Sequence, residues 1–138
     1  MEIRKNQSIR IAVIDSGINP QHSHVGRVVG GVGIAVDAEG RIEPTADFAD
    51  QLGHGTAIAG IISQGNPEAE LVAVRIFSEE LKASLDQLIA ALAWAIEQQT
   101  RIIHLSLGID SPENRESLKS LCDRAAEQNL IVIASARG

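Results

Sequence analysis

Residues Ile9-Arg10-Ile11-Ala12-Val13-Ile14-Asp15-Ser16-Gly17 pass from a β-branched apolar run directly into an aspartate, a serine and a glycine. A run of this kind reads as a central strand buried on both faces, and the glycine suits a sharp turn at its end. Leu71-Val72-Ala73-Val74-Arg75-Ile76-Phe77, Arg101-Ile102-Ile103-His104-Leu105-Ser106-Leu107-Gly108 and Leu130-Ile131-Val132-Ile133-Ala134 repeat the pattern. Segments of helical spacing separate these strands, and that alternation predicts an α/β fold with a mainly parallel sheet.

The intervening segments carry their own signals. Val28 to Val36 is apolar but interrupted by Gly30, Gly31 and Gly33, which predicts a strand with a bend or bulge, followed by a polar loop through Asp50. His54-Gly55-Thr56 opens a helix of small and branched residues that ends at Gly65-Asn66-Pro67. Ser84 and Gln87 form a capping box before a helix through Gln98, whose core face holds Leu85, Leu88, Ile89, Leu92 and Ile96. Ser111-Pro112 supplies an N-cap with proline at the first helical position, and Asn129 closes that last helix.

The chain has 138 residues, 44% hydrophobic and 22% charged, the composition of one globular domain with enough length to bury a core. Residues 1–8 form a polar N-terminal segment and 9–138 the domain. Phe48, Phe77 and Trp94 are the only aromatic residues, so surfaces for stacking bases or sugars are scarce. The net charge is −6 and the basic residues are scattered, which argues against nucleic acid as a partner. No apolar run is long enough to span a membrane, and the polar start predicts no secretion signal, so the expected location is cytoplasmic. Cys122 is alone, which excludes an internal disulfide.

In an open parallel sheet, ligands and catalytic groups collect beyond the carboxyl ends of the strands, where Asp15, Ser106 and Ala134-Ser135-Ala136 are expected. An aspartate after a buried strand and a histidine at a helix start can form a carboxylate–imidazole pair. The same residue types also serve as turn formers and helix caps, so the pairing is one reading of two.

Ile11-Ala12-Val13-Ile14-Asp15-Ser16-Gly17-Ile18 and Gly53-His54-Gly55-Thr56-Ala57-Ile58-Ala59-Gly60 resemble the aspartate and histidine motifs of the subtilisin-like serine peptidases. Leu71 to Ile76 resembles the following core strand, Trp94-Ala95-Ile96 the next helix, Ile102 to Gly108 the substrate-binding strand, and Ile131 to Ala136 the strand leading to the oxyanion-hole asparagine. The resemblance runs from Ile9 to the end of the chain in the family's order. It implies a subtilisin-like three-layer sandwich truncated after about five strands. It implies catalytic roles for Asp15, which orients, and His54, the general base, with Ser106, Leu107 and Gly108 binding an extended peptide substrate.

The chain departs from the family pattern at several points. No Gly-Thr-Ser nucleophile segment follows, and Arg137-Gly138 stands where the pattern has Gly-Asn, so neither nucleophile nor oxyanion donor is present. His104 stands where an asparagine is usual, and Ala57 replaces a second histidine. Ser63 to Glu68 is short and poor in oxygen ligands, so no calcium site is expected there, and no metal or cofactor elsewhere. His22 and His24 lack further ligands nearby and read as a solvated loop.

The resemblance therefore implies a serine endopeptidase domain inactive by itself, or one part of a longer or split enzyme. The alternative is an inert peptide-binding or scaffolding module. An unpaired edge at the last strand predicts a homodimer or a complementing second half.

Overall fold

The computed structural model describes residues 9–107 and 112–136. The element order is β1 (Arg10–Asp15), β2 (Arg27–Val36), β3 (Ile42–Thr45), α1 (His54–Gly65), β4 (Glu70–Arg75), α2 (Leu85–Glu97), β5 (Ile102–Leu107), α3 (Pro112–Glu127) and β6 (Ile131–Ala136). These strands form one six-stranded sheet in the order β3-β2-β4-β1-β5-β6. Every pairing is parallel except that of β2 with β3. The α/β fold with a mainly parallel sheet is the one expected, with one strand more than the sequence showed: β3 lies within the segment read as a polar loop.

The two-residue period of the strands sorts the core into two layers. Ala12 and Ile14 of β1, Val74 of β4 and Ile103 and Leu105 of β5 face the layer that contains Leu88, Ala91, Leu92 and Ala95 of α2 and Leu121 of α3. Ile11 and Val13 of β1, with Leu71 and Ala73 of β4, face Ala59, Ile58 and Ile62 of α1 on the other side. β1 is the best-buried strand because both layers meet on it.

Local devices agree with the sequence. The bend in β2 is a register shift between Val28 and Gly30 against β4, which leaves Val29 exposed. Ser84 and Gln87 make both capping-box bonds, Ser84 Oγ accepting from the Gln87 amide and Gln87 Oε1 from the Ser84 amide. Asn129 adopts φ 63°, the left-handed conformation that ends α3. Ser111, the expected cap of that helix, lies outside the described residues. Leu88 and Leu92 are buried in α2 as expected, joined there by Ala91 and Ala95, while Ile89 and Ile96 are only partly buried against the same cluster.

The α1 side is not closed over the whole sheet. In the β5–β6 register Ile131 and Ile133 stand beside Ile102 and His104, on the α1 face, and they are 51% and 49% exposed. Ile61, on the outer side of α1, is 67% exposed. β6 is the edge strand that the sequence predicts.

Candidate active site

Asp15 is the last residue of β1 and has the same face parity as Ile11 and Val13, which aims it to the α1 side. His54 is the first residue of α1, and Ser106 lies near the end of β5 with the parity of Ile102 and His104. The strand ends and the helix start therefore meet at the carboxyl edge of the sheet, on one face of it. Between β4 and β5 the chain crosses from one side of β1 to the other, the kind of switch in strand order at which open parallel sheets place ligands.

His54 Nδ1 donates to both oxygens of Asp15, at 2.9 Å to Oδ1 and 2.8 Å to Oδ2. The Asp15 side chain is fully buried and that of His54 is 38% exposed. Ser106 Oγ donates to Asp15 Oδ2 at 2.6 Å, and the Ser16 amide donates to Asp15 Oδ1 at 2.7 Å. Donors on both oxygens fix the orientation in which the buried carboxylate meets the imidazole. With Nδ1 bound to the carboxylate, the outward Nε2 of His54 is the nitrogen free to take a proton. Among the described residues no hydroxyl hydrogen-bonds to it.

The expected site residues Asp15, His54 and Ser106 are thus brought together. Ser106 has a second role that the sequence did not reveal: its side chain binds Asp15, in addition to any contribution from its backbone. Leu107 is the last residue of β5 and pairs with Ala136 of β6. Pairing of β5 with β1 ends at Leu105. Gly108 lies outside the described residues.

The sequence reading missed Asp50. Gly53, the N-cap residue of α1, has φ 84° and offers no side chain, so the first turn of the helix takes its acceptors from elsewhere. Ser16 Oγ accepts from the Gly55 amide at 2.9 Å, and Asp50 Oδ2 from the Thr56 amide at 2.9 Å. Ser16 Oγ also donates to Asp50 Oδ1 at 2.7 Å, the oxygen that accepts from the Leu52 and Gly53 amides. Burial pushes the Asp50 carboxyl up, but hydrogen bonds from Thr56, Ser16 and Gly53 outweigh it and hold the group below the ordinary aspartate value. The only local signal was an acidic residue four positions before His54.

His104 stands on the same face, two residues before Ser106. Its Nδ1 is buried with no hydrogen-bond partner among the described residues. Burial lowers its affinity for a proton and so does the charge of a protonated His54, while Asp15 acts in the opposite direction; the net effect is a lowered pKa.

His22 and His24 pack edge to face at 5.3 Å, and the His24 amide donates to His22 Nδ1. They border an open groove of about 750 Å³ along α1, with Asn19, Thr56, Gly60 and Ser63. No group of three or more His, Cys, Asp or Glu side chains among the described residues could hold a metal ion. No helix among them is long and apolar enough to cross a membrane.

Comparison with known proteins agrees with this geometry. The sequence model of the subtilase family matches residues 6–136. An intracellular serine protease of Paenibacillus polymyxa is 30% identical over 142 residues, covering 96% of this chain and 42% of that protein. Subtilisin E of Bacillus subtilis is 31% identical over 138 residues, covering 94% of this chain and 34% of its own length. Among solved structures, a cold-adapted subtilisin-like serine proteinase superposes with a TM-score of 0.73 at 24% identity, over 94% of this chain and 46% of its own. The nisin leader peptidase NisP of Lactococcus lactis gives 0.75 at 22% identity, over 92% and 43%. The chain therefore spans less than half the length of these relatives. With a matching family model over almost its whole length, the chain belongs to the subtilase family of serine peptidases.

Proposed function

We propose that this chain carries the carboxylate and general-base half of a serine endopeptidase site, completed by a nucleophilic serine and an oxyanion donor from further polypeptide, continuous with it or separate. The observation that carries the reading is the bond from His54 Nδ1 to the fully buried Asp15, which leaves Nε2 open at the carboxyl edge of the sheet. In that role Asp15 fixes the imidazole tautomer and stabilises the imidazolium, and His54 takes the proton of the attacking hydroxyl and returns it to the leaving amine. The substrate is an extended peptide, aligned along the backbone of Ser106 and Leu107 beyond the point where β1 stops pairing.

Two features support the need for further polypeptide. No hydroxyl among the described residues engages His54 Nε2, and Ile131 and Ile133 are half exposed on the sheet face that carries the site. The 138-residue chain alone is inactive in this reading, since the covalent route requires the nucleophile.

The test is to capture the native protein from its source cells with an antibody against this domain and treat it with a serine-directed fluorophosphonate. Mass spectrometry then locates any phosphonylated serine. The expected result is one labelled serine outside residues 1–138, on the captured polypeptide or one bound to it, and no labelling when His54→Ala is expressed in its place. A captured protein that takes no label and still binds extended peptides would overturn this reading in favour of an inert peptide-binding module.

A further inference from the structure

The helix that carries His54 must be fixed to the strand that carries Asp15, and no direct covalent or sheet connection does so. α1 follows β1 by 39 residues at the paired positions and packs on the sheet through Ile58, Ala59 and Ile62. The bond between the side chains is itself too weak to anchor a helix, since one charged hydrogen bond contributes about 1.5–3 kcal/mol and the imidazole is partly in water. Another element has to fix the start of the helix.

We propose that Asp50, acting through Ser16, is the positioning residue that sets the His54–Asp15 pair; the inference rests on the reading of that pair as the catalytic one. Asp50 is 8% exposed and Ser16 fully buried. Between them they satisfy two amides of the first turn of α1, Gly55 and Thr56, on either side of the bond that joins them. Ser16 is the residue after Asp15, and its own amide binds Asp15 Oδ1. A single hydrogen-bonded path thus leads from Asp15 through Ser16 to the residue after His54. It also leads through Asp50 to the one after that.

The Asp50 end of the path is also tied to the turn after β1 through Asn19, which bonds both the Asp50 backbone and the helix residue Thr56. The Asp50 amide donates to Asn19 Oδ1 at 2.9 Å, Asn19 Nδ2 donates to the Asp50 carbonyl at 3.1 Å, and the Asn19 amide donates to Thr56 Oγ1 at 3.0 Å. The carboxylate is therefore clamped from the turn after β1 and in turn clamps the helix. Its charge adds to this, because an anion at a helix N-terminus interacts favourably with the helix dipole. An amide could not replace it. Asp50 accepts on both oxygens, and Asn at this position would turn an N–H toward either Thr56 N–H or the Ser16, Leu52 and Gly53 donors.

The test is nuclear magnetic resonance of the 15N-labelled chain, which reads the His54 ring without any need for catalysis. The parent chain is expected to show a low-field, slowly exchanging Nδ1–H resonance of His54, and imidazole nitrogen shifts of the Nδ1–H tautomer. Asp50→Asn and Ser16→Ala are each expected to lose that resonance and to mix the two tautomers, while Leu92→Ala, which destabilises the opposite layer, keeps both signals. Either Asp50→Asn or Ser16→Ala, folded by its amide spectrum and retaining the resonance and the tautomer unchanged, would overturn the proposal; if Asp50→Asn does not fold, Ser16→Ala decides. Absence of the resonance from the parent chain would instead remove the His54–Asp15 pair itself, and the proposal with it. Failure of fluorophosphonate labelling alone would leave these ring signals as they are.

Discussion

Ser106 Oγ donates a 2.6 Å hydrogen bond to Asp15 Oδ2, joining the ends of β5 and β1 across 91 positions of sequence. Each oxygen of the buried carboxylate thereby has a donor besides His54: Ser106 on Oδ2 and the Ser16 amide on Oδ1. Orientation of the imidazole follows from this arrangement. A carboxylate fixed from two sides can present its oxygens to His54 Nδ1 in only one way.

Ser106→Ala removes one of those donors and leaves the buried oxygen with the imidazole alone. Loss of a hydrogen bond to a buried charged group is expected to lower stability by about 1.5–3 kcal/mol. Urea unfolding of the purified chain measures this directly. An unchanged midpoint would mean that water or the imidazole fully replaces the hydroxyl.

Gly55→Ala is expected to damage the site by a different route. A Cβ at Gly55 would collide with the carbonyl oxygen of Gly17, and both partners are backbone, so neither can swing aside. The start of α1 must then move away from the turn after β1, which separates His54 from Asp15 and costs about 1–3 kcal/mol as an overpacked contact. Gly65→Ala at the other end of the same helix is the control. Nothing lies within 4 Å of a Cβ there, and alanine is expected to stabilise the helix, by up to about 1 kcal/mol. Thermal unfolding of the two variants should shift in opposite directions.

The parts of this fold that were legible in the sequence are those specified by local chemistry. The parity of β1 alone places Asp15 on one face, the capping box fixes the start of α2, and Asn129 and Gly17 stand at the left-handed positions where such residues are expected. β3 escaped because Ile42-Glu43-Pro44-Thr45 has one apolar residue in four and a proline, which is tolerable only because the strand is short and pairs on one side. Ala91 and Ala95 escaped because small residues carry little weight in an apolar pattern, although close packing of α2 on the sheet requires them. The pair Asp15 and His54 was found through the resemblance of their flanking motifs. Asp50 was not found because its partners, Ser16 and Thr56, lie on either side of it in sequence and meet it only once the turn after β1 and the start of α1 are folded together.

The two-layer core makes unequal demands on its apolar residues. Leu92 is fully buried between α2 and the sheet, so Leu92→Ala is expected to cost about 2–5 kcal/mol in chemical denaturation. Ile133 is 49% exposed on the edge strand, and Ile133→Thr is expected to cost under about 1 kcal/mol in the isolated chain. A large cost at Ile133 would mean that this face is already covered in solution, by a second copy of the chain.

His104 connects the open face with pH. It stands opposite Val13 of β1 and Ile133 of β6, with the Asp15 carboxylate and the His54 ring as the charged groups that act on it. Because its folded pKa lies below the ordinary histidine value of 6.5, the unfolded chain takes the proton first as pH falls. The folded state therefore loses stability from about pH 6.5 downward, through the folded pKa, and above that window the group contributes no pH dependence. His104→Leu removes both the titration and the enclosed Nδ1 that has no partner among the described residues. Its expected signature is a stability gain of up to about 1–3 kcal/mol at pH 7 and a flatter profile below about pH 6.5 in urea unfolding. A leucine variant less stable at pH 7, with the parent's slope intact, would show that the imidazole finds a hydrogen-bond partner and that the acid sensitivity arises elsewhere.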